Sequence, residues 1–194
     1  RIWFCISLKL CLFNQSKPCE FKGINMKNFK LLSIFFLISL GAGCATTDIG
    51  MMTPETRTSN ESFPGSANVI VVGANEVIAK NADIKTAIET ALTNAQLFVG
   101  DERNYRINVS VLSIKNPMMG LDLKSELRIK WQLIDLTQDK LVWEDFLSND
   151  FTATVGDSFV AVTRMRMSNE GVIRENIQMA IDEMITLREK GEGL

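Results

Sequence analysis

Between Leu123 and Leu133 apolar and charged positions alternate with period two. Leu123, Leu127, Ile129, Trp131 and Leu133 share one face, while Lys124, Glu126, Arg128, Lys130 and Gln132 share the other. This predicts a strand with one dry and one wet side. Thr137-Gln138-Asp139-Lys140 reads as a hairpin turn, and Leu141 to about Phe146 as the returning antiparallel strand with Trp143 on the inner side. Upstream, Tyr105, Ile107, Val109 and Val111 alternate with Arg106, Asn108 and Ser110, which predicts another half-buried strand. Val69 to Val72 is a β-branched run ended by Gly73, suited to a buried strand.

Two stretches carry the helical period instead. From about Ala82 to Phe98, Ile84, Ala87, Ile88, Ala91, Leu92 and Ala95 form one stripe, with Asn81 as the expected cap. From Ser168 or Asn169 to about Arg188, Ile173, Ile177, Ala180, Ile181 and Met184 form a second. Residues 148–167 give no firm reading. The order is β-α-β-β-β-α, an α+β fold with two helices packed on one face of a mainly antiparallel sheet of about four strands. Residues 69–194 are long enough to bury a single core. Residues 44–68, rich in Thr, Ser, Asn, Gly and Pro without a period, read as a flexible tether, although Met51, Met52 and Phe63 offer apolar groups for packing.

The N-terminal region differs in kind. Three of the four cysteines, Cys5, Cys11 and Cys19, precede the first methionine, Met26. Residues 1–25 have no recognisable pattern and read as an upstream extension of the gene start. Residues 26–43 read as an export signal: Met26 to Lys30 is short and basic, Leu31 to Leu40 is uncharged and apolar, and Gly41-Ala42-Gly43 supplies small residues before Cys44. The apolar stretch ends at Ala45, short of the roughly 20 residues a membrane-spanning helix needs.

Leu40-Gly41-Ala42-Gly43-Cys44 resembles the lipobox of bacterial lipoproteins, with Gly41 at the place where that family usually has leucine. The resemblance implies that Cys44 receives diacylglycerol and becomes the new N-terminus. Ala45 in place of aspartate then implies the outer membrane, facing the periplasm. The competing reading is an ordinary signal cleaved nearby, with Cys44 a lone thiol. Either way no second cysteine follows Cys44, so the exported chain forms no internal disulfide. Lipobox, spacer and element order together resemble the small outer-membrane lipoproteins of envelope assembly, such as the lipopolysaccharide-assembly lipoprotein.

Charge narrows the partners. Six of the 21 basic residues and one of the 23 acidic residues precede Cys44, leaving 15 against 22 and a net charge of −7. Nucleic acid needs a basic footprint and is not expected. The absence of histidine excludes imidazole-based catalysis and metal ligation. No cofactor or metal is expected. Gly73-Ala74-Asn75 lacks the further glycines of a dinucleotide loop, Gly156-Asp157-Ser158 lacks a histidine base, and Ser-x-x-Lys spacing does not occur. Glu144-Asp145 and Asp182-Glu183 are adjacent acids whose side chains diverge on a strand or helix. The expected function is therefore binding or scaffolding at a membrane rather than catalysis. Its partners would be the membrane, through acylated Cys44, and an envelope protein or glycolipid, met by Lys124, Arg128 and Lys130. The alternative is a periplasmic hydrolase or carbohydrate-acting enzyme that relies on carboxylates alone.

Overall fold

A computed structural model describes residues 47–75, 78–116 and 120–191. Cys44, the export signal and residues 1–25 lie outside the described residues. The elements are α1 (Ile49–Met52), β1 (Phe63–Val72), α2 (Asn81–Asn94), β2 (Phe98–Lys115), β3 (Leu123–Asp135), β4 (Lys140–Ala153) and α3 (Ala161–Glu189). The sheet order is β1-β2-β3-β4. The first pair is parallel and the other two are antiparallel. α2 packs on β1, α3 crosses β3 and β4, and α1 touches both longer helices.

The expected α+β sandwich is the one observed, with the alternating positions filling its core. Ile107, Val109, Ile129, Trp131 and Leu133 are fully buried beneath Ile88, Ala91, Ile173, Ile177 and Ile181 of the two helices. Trp131 is completely enclosed, whereas Trp143, on the edge strand, is only half-buried. Gly73 closes β1 with φ +82°, and a Cβ there would lie 2.6 Å from the Val111 carbonyl oxygen.

Four boundaries differ from expectation. α2 stops at Asn94, because Gln96 turns left-handed (φ 52°) and Phe98 already opens β2, opposite Phe63. Lys80, rather than Asn81, occupies the N-cap; the Asn81 Oδ1 accepts the Ala74 N–H at 3.0 Å and closes the β1–α2 loop. The returning strand runs on to Ala153, through Ser148-Asn149-Asp150, which look like a loop in the sequence. α3 starts at Ala161, two turns before the expected start at Ser168 or Asn169, with Ala161 and Val162 exposed.

The largest correction concerns the tether of residues 44–68. From Asp48 onward this segment is bound to the domain. The Asp48 N–H donates to the Glu170 Oε1 at 2.8 Å, and Met52 and Phe63 are fully buried. Arg57 pairs with Glu189 through both guanidinium nitrogens at 3.0 and 3.3 Å. The Ser59 N–H donates to the Ala95 carbonyl at 2.8 Å. The ring of Phe63 stacks on Phe98 at 5.2 Å and lies beneath the Arg188 guanidinium. Scattered apolar anchors and polar contacts hold this strap, which is why no period betrays it.

α3 meets the sheet through a polar seam as well as an apolar one. The Trp131 Nε1–H donates to the Asn176 Oδ1 at 2.9 Å, and the Asn176 amide donates to the Asn149 Oδ1 at 2.8 Å. Asn149 in turn donates to the Val172 carbonyl at 2.9 Å. Nearer the start of the helix, the Ser168 hydroxyl lies 2.7 Å from that of Ser125, which donates to the Asn169 Oδ1 at 2.8 Å. Between these groups Gly171 lets the helix approach: a Cβ there would sit 2.5 Å from the Phe151 ring. Forcing a methyl into that contact costs about 1–3 kcal/mol. Gly171→Ala is therefore expected to lower the free energy of unfolding by that amount, measured by urea titration as a lower midpoint at unchanged slope; an unchanged midpoint would contradict this packing.

Candidate functional site

The wet side of β3 lies on the sheet face opposite the helices, and the expected contact residues are there. Register places Lys130 beside Ser110 on one neighbour and Phe146 on the other, and Arg128 beside Ser148. The cations do not stand alone. The Lys124 ammonium lies 3.3 Å from the Asp150 carboxylate and 3.9 Å from that of Glu126. Lys130 lies 3.0 Å from Glu144, and Lys115 lies 3.5 Å from Glu126. Hydrogen bonds from Lys130 and then from Gln132, at 2.6 Å, hold the Glu144 carboxyl below its ordinary pKa. Arg128 makes no ion pair among the described residues; its guanidinium sits over the Phe146 ring at 5.6 Å, with Lys130 over the same ring at 5.4 Å.

Beside this strip is a shallow groove of about 370 Å³, lined by Ser113, Lys115, Glu126, Arg128, Ser148 and Asp150. Its charges alternate in sign. Exposed pairs of this kind contribute about 0–1 kcal/mol each, so an incoming charged group exchanges them at little cost. The three predicted residues thus share one face, yet two of the three are already matched by carboxylates from within the chain.

A second polar cluster escapes a reading of neighbours in sequence. The adjacent acids do diverge as expected: Glu144 joins Lys130 on the outer face while Asp145 points to the helix side of β4. There it meets Glu183 of α3. Burial raises the Glu183 pKa most, followed by the Asp145 charge and a carboxyl–carboxyl hydrogen bond with it, while the Trp143 indole acts the other way. Each of the two adjacent pairs thus contributes one acid to a new pair. The usable signal is the parity of Asp145 with the inward-facing Trp143; the helix partner cannot be read without knowing how α3 docks. A cleft of about 310 Å³ adjoins the pair, lined by Trp143, Asp182, Glu183, Thr186, Leu187 and Lys190. The pair is a pH-sensitive joint between β4 and α3.

No family model matches the sequence, and no curated protein matches it. Solved structures do. Protein XCC0632 from Xanthomonas campestris, of family DUF330, aligns with a TM-score of 0.51 at 9% identity, covering 72% of this chain and 96% of that one. Weaker alignments include structures described as lipoproteins. A minor lipoprotein from Acinetobacter baumannii aligns over 63% of this chain and 93% of its own length, with a TM-score of 0.43 and 16% identity. Rare lipoprotein B from Shewanella oneidensis aligns over 65% and 95%, with a TM-score of 0.37 and 11% identity. Among the described residues no helix is long and apolar enough to cross a membrane, and no group of three acids or cysteines is placed to hold a metal.

The acid pair has a measurable consequence. The folded Glu183 carboxyl keeps its proton to higher pH than the unfolded one, so stability falls as pH rises from the ordinary glutamate range through the raised value. Glu183→Gln removes this penalty. Its Tm is expected to exceed that of the wild type at about pH 7–8, with the gap closing below about pH 4, where the unfolded carboxyl is protonated too. Thermal melts across pH check this; a gap of constant size, or one of opposite sign at neutral pH, would contradict the shared-proton joint.

Proposed function

We propose that this chain is a lipid-anchored protein of the bacterial cell envelope that acts by holding a partner at the membrane surface rather than by catalysis. The single observation that carries this reading is Leu40 to Cys44 followed, four residues later, by a domain whose first described residues are already bound. Export and signal removal leave Cys44 at the amino terminus, where thioether-linked diacylglycerol together with an amide-linked acyl chain makes attachment effectively permanent. One chain alone binds reversibly, and each buried methylene adds about 0.8 kcal/mol. Ala45 after the cysteine supports retention in the outer membrane on the periplasmic side.

The outer sheet face is the surface proposed to meet the partner. Lys124, Arg128 and Lys130 lie along one strip, Arg128 without a carboxylate and the other two in exposed pairs that a more acidic surface can displace. An acidic loop of an envelope protein or a phosphorylated glycolipid has the required charge. The net charge of −7 after Cys44 limits the attraction to that strip and disfavours nucleic acid. Carboxylate-only hydrolysis is the weaker reading, since the converging acids Asp145 and Glu183 include one whose burial and neighbouring charge favour its protonated form, with no observation that assigns the pair a substrate.

Metabolic labelling with a radioactive fatty acid, comparing the wild type with Cys44→Ser, tests the anchor. The wild type is expected to incorporate label and sediment with outer membranes, whereas Cys44→Ser loses both properties. Label retained by the substituted chain would overturn the proposal.

A further inference from the structure

The bound strap shortens the leash. The Asp48 N–H is held by the buried Glu170 carboxylate at 2.8 Å, so the chain from Cys44 to this pinned point is four residues long. Four residues reach at most about 14 Å. Asp48 is thereby pinned to α3, whose first residue, Ala161, is nine positions before Glu170, or about 14 Å along the axis. The start of α3 therefore lies within the leash's own length of the point where the strap is pinned.

That end of the domain is unusually apolar. Phe159 is 90% exposed, Val160 59% and Val162 67%, with only Ala161 between them as the chain enters the helix. Leu121, 77% exposed, belongs to the same end, since Leu123 pairs with Ala153 at the edge of the sheet from which residues 154–160 depart. The loop holding Phe159 is built. The Asp157 Oδ2 accepts the Thr154 N–H at 2.7 Å and its hydroxyl at 2.9 Å, and the Arg164 guanidinium donates to the Ser158 carbonyl at 2.7 Å. An aromatic ring is thus held out into solvent with aliphatic neighbours, while the Asp157 carboxylate, two residues before it, is engaged by Thr154 of its own loop. Clustered exposed apolar groups of this kind mark contact surfaces, and an amphipathic end beside a lipid anchor suits the headgroup boundary.

We infer that Phe159, Val160, Val162 and Leu121 form a lipid-contact surface that seats the domain on the leaflet holding its anchor. This rests on the acylation of Cys44 proposed above. Docked in this way, the sheet stands with its strands rising from the membrane, and the outer face with Lys124, Arg128 and Lys130 opens sideways along the surface rather than towards it.

The test uses the full acylated chain, in which an introduced cysteine is the only free thiol once Cys44 is modified. L121C, V162C and, at the opposite end of the sheet, L136C are each labelled with an environment-sensitive fluorophore. Each is reconstituted into vesicles of phosphatidylethanolamine and phosphatidylglycerol, with and without nitroxide-bearing acyl chains. Insertion of about 5–10 Å is expected to bring quenching at positions 121 and 162 and none at 136. Adding Phe159→Ser is expected to reduce that quenching at least about twofold while the protein still floats with the vesicles, as burial of a full aromatic side chain is lost. Equal quenching at all three sites, or none in protein that floats, would overturn the lipid-contact surface and leave the anchor intact. A spectral change at 162 that depends on protein density but not on nitroxide would assign the patch to a second copy and overturn it likewise. Failure of the acylated chain to float would instead remove the anchor reading, and this inference with it.

Discussion

The hydrogen bond from Trp131 to Asn176, enclosed between the sheet and α3, fixes the placement on which the other contacts depend. Its net contribution is modest, about 1 kcal/mol for a typical intramolecular bond, but leaving either partner buried and unpaired costs about 1–3 kcal/mol. A sliding helix would orphan Trp131, Asn149 and Asn176 together, whereas the purely apolar positions Ile173, Ile177 and Ile181 tolerate a shift far better. The apolar stripe supplies most of the attraction; the polar seam selects one register. With that register set, Gly171 lies over Phe151, Glu170 faces Asp48, Glu183 meets Asp145 and Arg188 covers Phe63.

β3 and α2 were legible because each has one face against the core and one against water, so period alone reveals them. Residues 148–153 were not, because Asn149 occupies an inward strand position and looks like a turn former until its partners on α3 are known. The first turns of α3 were hidden for another reason: what they bury is polar, Arg164 and Ser168, so they show no apolar stripe. The strap at 48–62 has neither period. It is held by a few separated contacts, and Met52 and Phe63 were the only apolar hints that it packs. Of the candidate sites, the cationic strip on β3 was visible from alternation, but the carboxylates that accompany it come from β4 and can be paired with it only through register.

The binding of the strap bears on how the proposed anchor would work. A free spacer of some 25 residues would let an anchored domain roam well away from the leaflet, whereas a link of four residues would confine it to the headgroup region and give its orientation meaning. A protein that acts by placement needs that constraint more than it needs a deep pocket. Neither of the two clefts is enclosed, and the better-defined chemistry lies in exchangeable surface pairs. The apolar start of α3, proposed to contact lipid, the groove of alternating charge on the outer sheet face and the Asp145–Glu183 pair on the helix side are held in a fixed relation by the docking of α3 on the sheet.

The central claim is the covalent state of Cys44, and mass analysis of the amino-terminal peptide from the membrane-extracted protein addresses it most directly. The account predicts a peptide beginning at Cys44 and heavier by a thioether-linked diacylglycerol and an amide-linked acyl chain. A free thiol at Cys44, or a peptide still carrying residues of the signal, would contradict it.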